Sequence, residues 1–273
     1  MTTSLLGRAL QAIELLAGRP QGVQLHEVAE RLAMPKSGTH RLLAELVAQG
    51  YAAHHGAGEA YRPTTKVLRL GHAWLAGRRI PEMVQPALDR LAREVGELVG
   101  CALVDGDRLT WIATSQGARC GLMVDPDLRM EVVLYCSPAG HAWLASHDDD
   151  EAIRLVMLQG FGRLPDHGPN APRTIDALRE RLQLARARGY AWGNDMSAAG
   201  VASVAAAVRH PVGGQTFGAL SIAGPSVRLT DARLHELAPR LLSAAADAGV
   251  LAALESTPCI ADAAVPGAVR THG

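Results

Sequence analysis

The chain has 273 residues, enough for two domains with separate cores, and its 48% hydrophobic and 20% charged content excludes a chain disordered throughout. Four cysteines, Cys101, Cys120, Cys136 and Cys259, are too few for a disulfide framework and form no close pair of the kind a zinc site uses, which fits a reducing cytoplasm. Net charge is zero, yet residues 1–79 carry ten Lys or Arg against five Asp or Glu while the remainder carries 17 against 22, so the N-terminal part has the sign that suits a polyanion. No long apolar segment follows the N-terminus, so no secretory signal is expected. Leu241 to Leu254, the most apolar late stretch, contains Asp247 and falls short of the roughly 20 residues of a membrane span, so it reads as a buried helix.

Leu5, Leu6, Ala9, Leu10, Ile13, Leu16 and Ala17 recur at three- and four-residue steps and predict a first helix with one buried stripe, ending near Gly18-Arg19-Pro20. Leu25, Val28, Ala29 and Leu32 mark a second helix, stopped at Met34-Pro35 because proline cannot continue it. Ser37 can cap a third, with Leu42, Leu43, Leu46 and Val47 inward and Gly50 at its end. Tyr51 to Arg62 supplies two short strand-like arms around Gly56-Ala57-Gly58, a candidate wing. Helical periodicity returns over Thr64 to Gly77 through Val67, Leu68, Leu70 and Trp74, and Arg78-Arg79-Ile80-Pro81 breaks it.

Pro81 to Gly96 reads as a helix, and strands at 98–104 and 109–114 flank the hairpin turn Asp105-Gly106-Asp107-Arg108. Helices at 138–146, 149–159 and 174–188 precede strands near 190–194, 201–208 and 216–223, with a turn at 211–214 and a closing helix from Thr230 to Leu254. The order predicts an α+β domain of helices packed on one mixed sheet. The domains are therefore a winged helix-turn-helix over residues 1–63, a linker helix over 64–80, an effector-sized domain over 81–254 and a mobile tail over 255–273.

In a helix-turn-helix the second helix of the pair enters the major groove near its N-terminus, a role that falls here on residues 36–45. With Thr39, Leu42 and Leu46 inward, the opposite face shows Lys36, Ser37, Gly38, His40, Arg41 and Glu45. Ser37 and His40 can bond to bases or phosphates, Arg41 can grip phosphate or guanine, and Lys36 adds an anchor. The bland alternative is a helical bundle with a hairpin for protein contacts.

The segment Leu32-Ala-Met-Pro-Lys-Ser-Gly-Thr-His-Arg-Leu-Leu43 resembles the recognition segment of IclR-family transcriptional regulators, and Gly50-Tyr51, Tyr61-Arg-Pro, Arg188-Gly189-Tyr190 and Leu220-Ser-Ile-Ala-Gly-Pro225 with Arg228-Leu-Thr230 extend the likeness over residues 4–254. The resemblance implies binding to double-stranded operator DNA, a homodimer or dimer-of-dimers tetramer, and a GAF-like domain that takes a small-molecule effector. It also implies that effector binding acts through the linker helices. The DNA-binding set carried over is Lys36, Ser37, Gly38, Thr39, His40 and Arg41, with Arg62 at the wing; Gly38 and Thr39 depart from the family's usual residues. The implied effector lining is Val124, Pro138, Ala139, Val201, Ser203, Ser221 and Ala223. A frequent acidic position falls on Gly193 and a common serine on Ala223, so a less polar pocket and an aromatic or otherwise apolar metabolite from catabolism are expected. These same substitutions could equally do no more than repack the sheet.

Enzyme signatures fail one by one. There is no Gly-x-Ser-x-Gly elbow, His26-Glu27 lacks the second histidine of a zincin, and Gly56-x-Gly58 lacks the third glycine of a dinucleotide loop. The run Asp148 to Glu151 is explained more simply by a helix N-terminus than by a metal. No catalytic residue, metal or cofactor is therefore assigned. The expected function is a ligand-responsive transcriptional regulator; the rival reading is a small-molecule enzyme or a protein-interaction sensor that does not bind DNA.

Overall fold

A computed structural model describes residues 4–19, 21–54, 56, 58–76, 80–125, 131–161 and 167–256. Of the expected tail over 255–273, residues 257–273 lie outside them, as do the wing-tip His55 and the break at Arg78-Arg79, while Glu255 and Ser256 continue the closing helix. The chain falls into two compact units, Met1–Arg78 and Arg79–Gly273.

In the first unit, Ser4 caps α1 (Leu5–Ala17) by accepting from the Gly7 amide at 3.1 Å. Gln24 and Glu27 close α2 (Leu25–Arg31) reciprocally in a capping box. The turn that follows places Ala33 at φ 49°, unusual for a residue with a Cβ, and Met34 donates its amide to the Ala29 carbonyl. α3 (Lys36–Ala48) begins with Pro35 as N-cap, one residue before the Lys36 start, so Ser37 lies inside the first turn and does not cap it. Its inward residues Thr39, Leu42, Leu43 and Leu46 pack with Ala12, Leu16, Val28, Leu32, Ala52 and Tyr61 into one core. Of the expected stripe of α1 only Leu16 is buried, with Ala9 and Ile13 half-buried; Ala12, outside that stripe, is buried instead, and Leu5, Leu6 and Leu10 stand 69%, 71% and 53% exposed. The first turns of α1 lie beyond the small trihelical core, and no described element of this unit covers them.

β1 (Ala52–Ala53) and β2 (Arg62–Pro63) form the wing as a two-residue antiparallel ladder, extended by a bridge between Val23 and Tyr61. His54 stacks on Tyr61 at 4.2 Å, and Lys66 of α4 (Thr65–Ala76) lies over the Tyr51 ring while donating to the Gln49 carbonyl. These contacts fix the wing to the end of α3.

The second unit is a five-stranded sheet in the order β4-β3-β7-β6-β5, built from β3 (Leu98–Asp105), β4 (Arg108–Gln116), β5 (Ala191–Asn194), β6 (Val201–Arg209) and β7 (Thr216–Pro225). Every pairing is antiparallel, so the strand directions are not mixed as expected. One face carries α5 (Ile80–Val95) and α9 (Asp231–Ser256); α6 (Pro138–Leu144) lies on the other, backed by α8 (Ile175–Arg188), with α7 (Asp149–Gln159) completing that side.

The period-2 alternation of the central strands sorts side chains by size. Val99, Cys101, Val204, Leu220 and Ile222 face α5 and α9, whereas Gly100, Ala102, Ser203, Ala205, Ala219 and Ser221 face α6. A bulge in β4 opposite Cys101 and Ala102 puts Ile112 and Ala113 together on the α9 side and returns Thr114 to the α6 side. The acids at the start of α7 have structural tasks: Asp148 caps the helix through the Glu151 amide at 2.8 Å, Asp149 meets Arg186 at 2.7 Å, and Glu151 meets Arg154.

Among the described residues of this unit Glu97 is the buried carboxylate, and Arg228 grips it with two hydrogen bonds of 2.8 and 2.9 Å. The third guanidinium nitrogen, Nη1, donates to the Leu122 carbonyl at 2.8 Å, and the Glu97 carbonyl accepts from the Gly117 amide. The pair thus ties the loop after β7 to the loop after β4. Arg228→Ala leaves Glu97 buried without its partner and is expected to lower stability by about 2–3 kcal/mol, the half-exposed guanidinium keeping the loss below that of a fully buried pair. Urea unfolding should show it as a lower midpoint at unchanged m-value.

Candidate DNA-binding helix and effector cavity

The outward side of α3 carries Lys36, Ser37, His40 and Arg41, all exposed, with Gly38 half-buried beside them. Neither Lys36 nor Arg41 forms an ion pair with a described residue, so both charges remain available. Thr39 does not belong to this face. It is completely buried and its hydroxyl donates to the Pro35 carbonyl at 3.1 Å, which makes it a core residue that steadies the first turn. Arg62 is exposed on the wing and spends its Nε on the Gln21 carbonyl at 3.3 Å, leaving the rest of the guanidinium outward.

In the second unit a cavity of about 540 Å³ opens on the small-residue face of the sheet. Its floor is Leu98, Gly100, Val201, Ser203, Ser221 and Ala223, and Pro138 and Ala139 at the start of α6 form one wall, with Val124 at the loop after β4. All seven residues expected to line an effector site therefore meet in one space. The space exists because alanine, glycine and serine leave room between sheet and helix that larger strand residues would fill.

Ser203 and Ser221 are 7% and 6% exposed, and neither hydroxyl has a hydrogen-bond partner among the described residues. Gly193 pairs with Ser203 on the neighbouring strand, and a side chain there would collide with the Met196 sulfur. Met196 therefore takes up the room beside Gly193, and a side chain at that position would have to displace it.

Among the polar or aromatic residues of the lining, five were absent from the expected set and bear on its chemistry: Trp111 and Thr114 of β4, Asp125 and Glu131 after it, and, further along the chain, His167. They give the cavity more polarity than the missing handles suggested. Glu131 is already engaged by Arg108 at 3.0 Å and by Gln159. Trp111 lies against Gly100, where an added Cβ would approach the indole to 2.8 Å. The signal for Trp111 was its place in a strand, but the bulge that turns it into the cavity leaves no mark in hydrophobic periodicity.

Ser137 caps α6 by accepting from the Gly140 amide at 3.0 Å and donates to the Val133 carbonyl at 2.6 Å, which holds the cavity wall in place. All seven residues of α6 are buried, His141 among them, with its Nε2 at 2.7 Å from the Tyr135 carbonyl. Burial depresses its pKa to about 4 despite that hydrogen bond, so the ring is neutral and donates from Nε2.

The sequence pattern described as IclR helix-turn-helix domain matches residues 5–56, and that described as Bacterial transcriptional regulator IclR C-terminal matches residues 72–249. The chain belongs to the IclR family. As a member, it is a ligand-responsive, DNA-binding transcriptional regulator and not an enzyme. It is 30% identical over 241 residues to the HTH-type transcriptional regulator BhcR of Paracoccus denitrificans, covering 88% of this chain and 84% of that one. It is 29% identical over 247 residues to the transcriptional repressor IclR of Escherichia coli, covering 88% and 86%. Among solved structures, an IclR homolog from Microbacterium hydrocarbonoxydans complexed with 4-hydroxybenzoate matches with a TM-score of 0.70 at 20% identity, over 92% of this chain and 99% of that one, a likeness of fold. Among the described residues of this IclR-family regulator no helix is long and apolar enough to cross a membrane.

The neutral His141 links α6 to acid stability. Between about pH 4 and 6.5 the unfolded chain binds a proton at this histidine that the folded chain does not, so stability should rise with pH through that window. The contribution reaches about 1.4 kcal/mol per pH unit. Urea midpoints measured across the window should flatten in His141→Gln relative to the parent chain.

Proposed function

We propose that the cavity above Gly100, Ser203 and Ser221 takes the effector, and that α3 enters the major groove of operator DNA through Lys36, Ser37, Gly38, His40 and Arg41, with Arg62 of the wing alongside. The effector assignment is carried by the two serines. Both hydroxyls line the cavity with no hydrogen-bond partner among the described residues, and a ligand that bonds them gains about 0.5–1.5 kcal/mol for each. The volume, about 540 Å³, lies within the roughly 300–1,000 Å³ usual for small-molecule sites.

The chemistry of the lining favours a planar aromatic metabolite of catabolism, its ring against the Trp111 indole and Val124, its polar edge toward Ser203 and Ser221. The complex of the Microbacterium neighbour with 4-hydroxybenzoate supports the same class. The regulator acts as a homodimer or a pair of dimers, because one short recognition helix reads too little sequence and a twofold axis presents two helices to paired half-sites. It works as a repressor, the role named for the Escherichia coli relative.

Arg41→Ala should weaken binding to promoter DNA substantially and reduce the salt slope by about one unit, as loss of one phosphate contact requires. Gel shifts over a salt series read both quantities, and sedimentation of the complex should find at least two chains per duplex. Unchanged affinity and slope would remove Arg41 from the interface.

A thermal-shift screen of benzoate and its hydroxylated derivatives should find a stabilising ligand. Ser203→Ala is expected to weaken that ligand by about 0.5–1.5 kcal/mol in calorimetry while operator affinity without ligand stays the same. Equal binding by parent and variant would place the effector elsewhere.

A further inference from the structure

The first turn of α3 contains a glycine that the fold does not require. Gly38 sits third in the helix, half-buried, between Ser37 and the core residue Thr39. A methyl group added there would meet only the Met34 Cε at 3.5 Å, an ordinary van der Waals contact. Its backbone is plain right-handed helix, unlike that of Gly22 or Gly50, whose φ values of 99° and 74° favour glycine. Nor does it resemble Gly140, where an added Cβ would run into the main chain of Leu134.

Glycine in a helix is less stable than alanine, because the unfolded chain gains the most freedom there. Gly38 therefore weakens α3 without a packing or conformational reason inside the protein. It does so one turn before Arg41, on the stretch of the helix-turn-helix that faces the major groove. A missing Cβ is useful where another surface must touch the main chain.

We propose that Gly38 is a close-approach contact for DNA: the duplex closes directly on the α3 main chain at this residue and fills the volume a Cβ would take. A base edge and the deoxyribose-phosphate chain offer the same van der Waals contact, and binding to different duplexes tells them apart. The proposal rests on α3 being the helix that docks on DNA.

The test uses the full chain, a duplex selected from random sequence by the parent protein, and an unselected duplex. Gly38→Ala should raise the Tm by roughly 2–6 °C and lower affinity for the selected duplex at least about tenfold. A loss confined to the selected duplex assigns the contact to a base edge; an equal loss on both duplexes assigns it to the sugar-phosphate chain. Unchanged affinity overturns the proposal, and so does a lowered Tm, which would mean that the fold itself needs the glycine. Arg41→Ala, run in parallel, separates the two readings: if it too leaves affinity unchanged, α3 is not the docking helix, whereas a loss in Arg41→Ala with none in Gly38→Ala rejects the glycine contact alone.

Discussion

The effector domain depends on one sheet having two faces of unequal side-chain size. Toward α5 and α9 the central strands present Val99, Val204, Leu220 and Ile222, which fill the space against two long helices. Toward α6 the same strands present Gly100, Ser203, Ala205, Ala219 and Ser221, too small to fill the gap beneath a helix. One face is therefore a core and the other a core with a vacancy at one end. The second face still closes over a core of its own, with Leu134, Tyr135, Trp143 and Leu144 buried in it, so a space at one end can be held without unfolding the domain.

Such a vacancy persists only if its walls are held by something other than their packing into it. The start of α6 is fixed by Ser137, which bonds both the helix and the Val133 carbonyl, and by the neutral His141 on the Tyr135 carbonyl. The loop after β4 is held by Arg228, which also neutralises buried Glu97. These are polar clamps in an apolar setting, where directional bonds fix position more tightly than dispersion contacts do.

The DNA-binding unit solves a different problem, since α3 must be rigid inward and chemically open outward. Thr39, Leu42, Leu43 and Leu46 lock it to the core, and the hydroxyl of Thr39 is spent on the Pro35 carbonyl. Outward, Lys36 and Arg41 keep charges that no ion pair with a described residue consumes. A helix so arranged loses little side-chain freedom in the protein and has most of its hydrogen-bonding capacity left for a polyanion.

Much of this was legible in the residues themselves. Periodicities near 3.6 and 2 place most helices and strands, Pro35 and Gly50 bound the recognition helix, and the excess of basic residues marks the unit that meets DNA. These are local properties, set by neighbours in the chain. The alternation of small and large residues in β3, β6 and β7 likewise encodes which face can hold a cavity. What the tertiary structure alone decided depends on residues far apart in sequence. The β4 bulge turns Trp111 into the cavity, His167 joins it from beyond α7, and Met196 takes up the space beside Gly193. The helical period had already turned Thr39 inward, but the exposure of Leu5, Leu6 and Leu10 follows from where the small core closes, not from that period. Periodicity reports which residues share a face; only packing determines what that face meets.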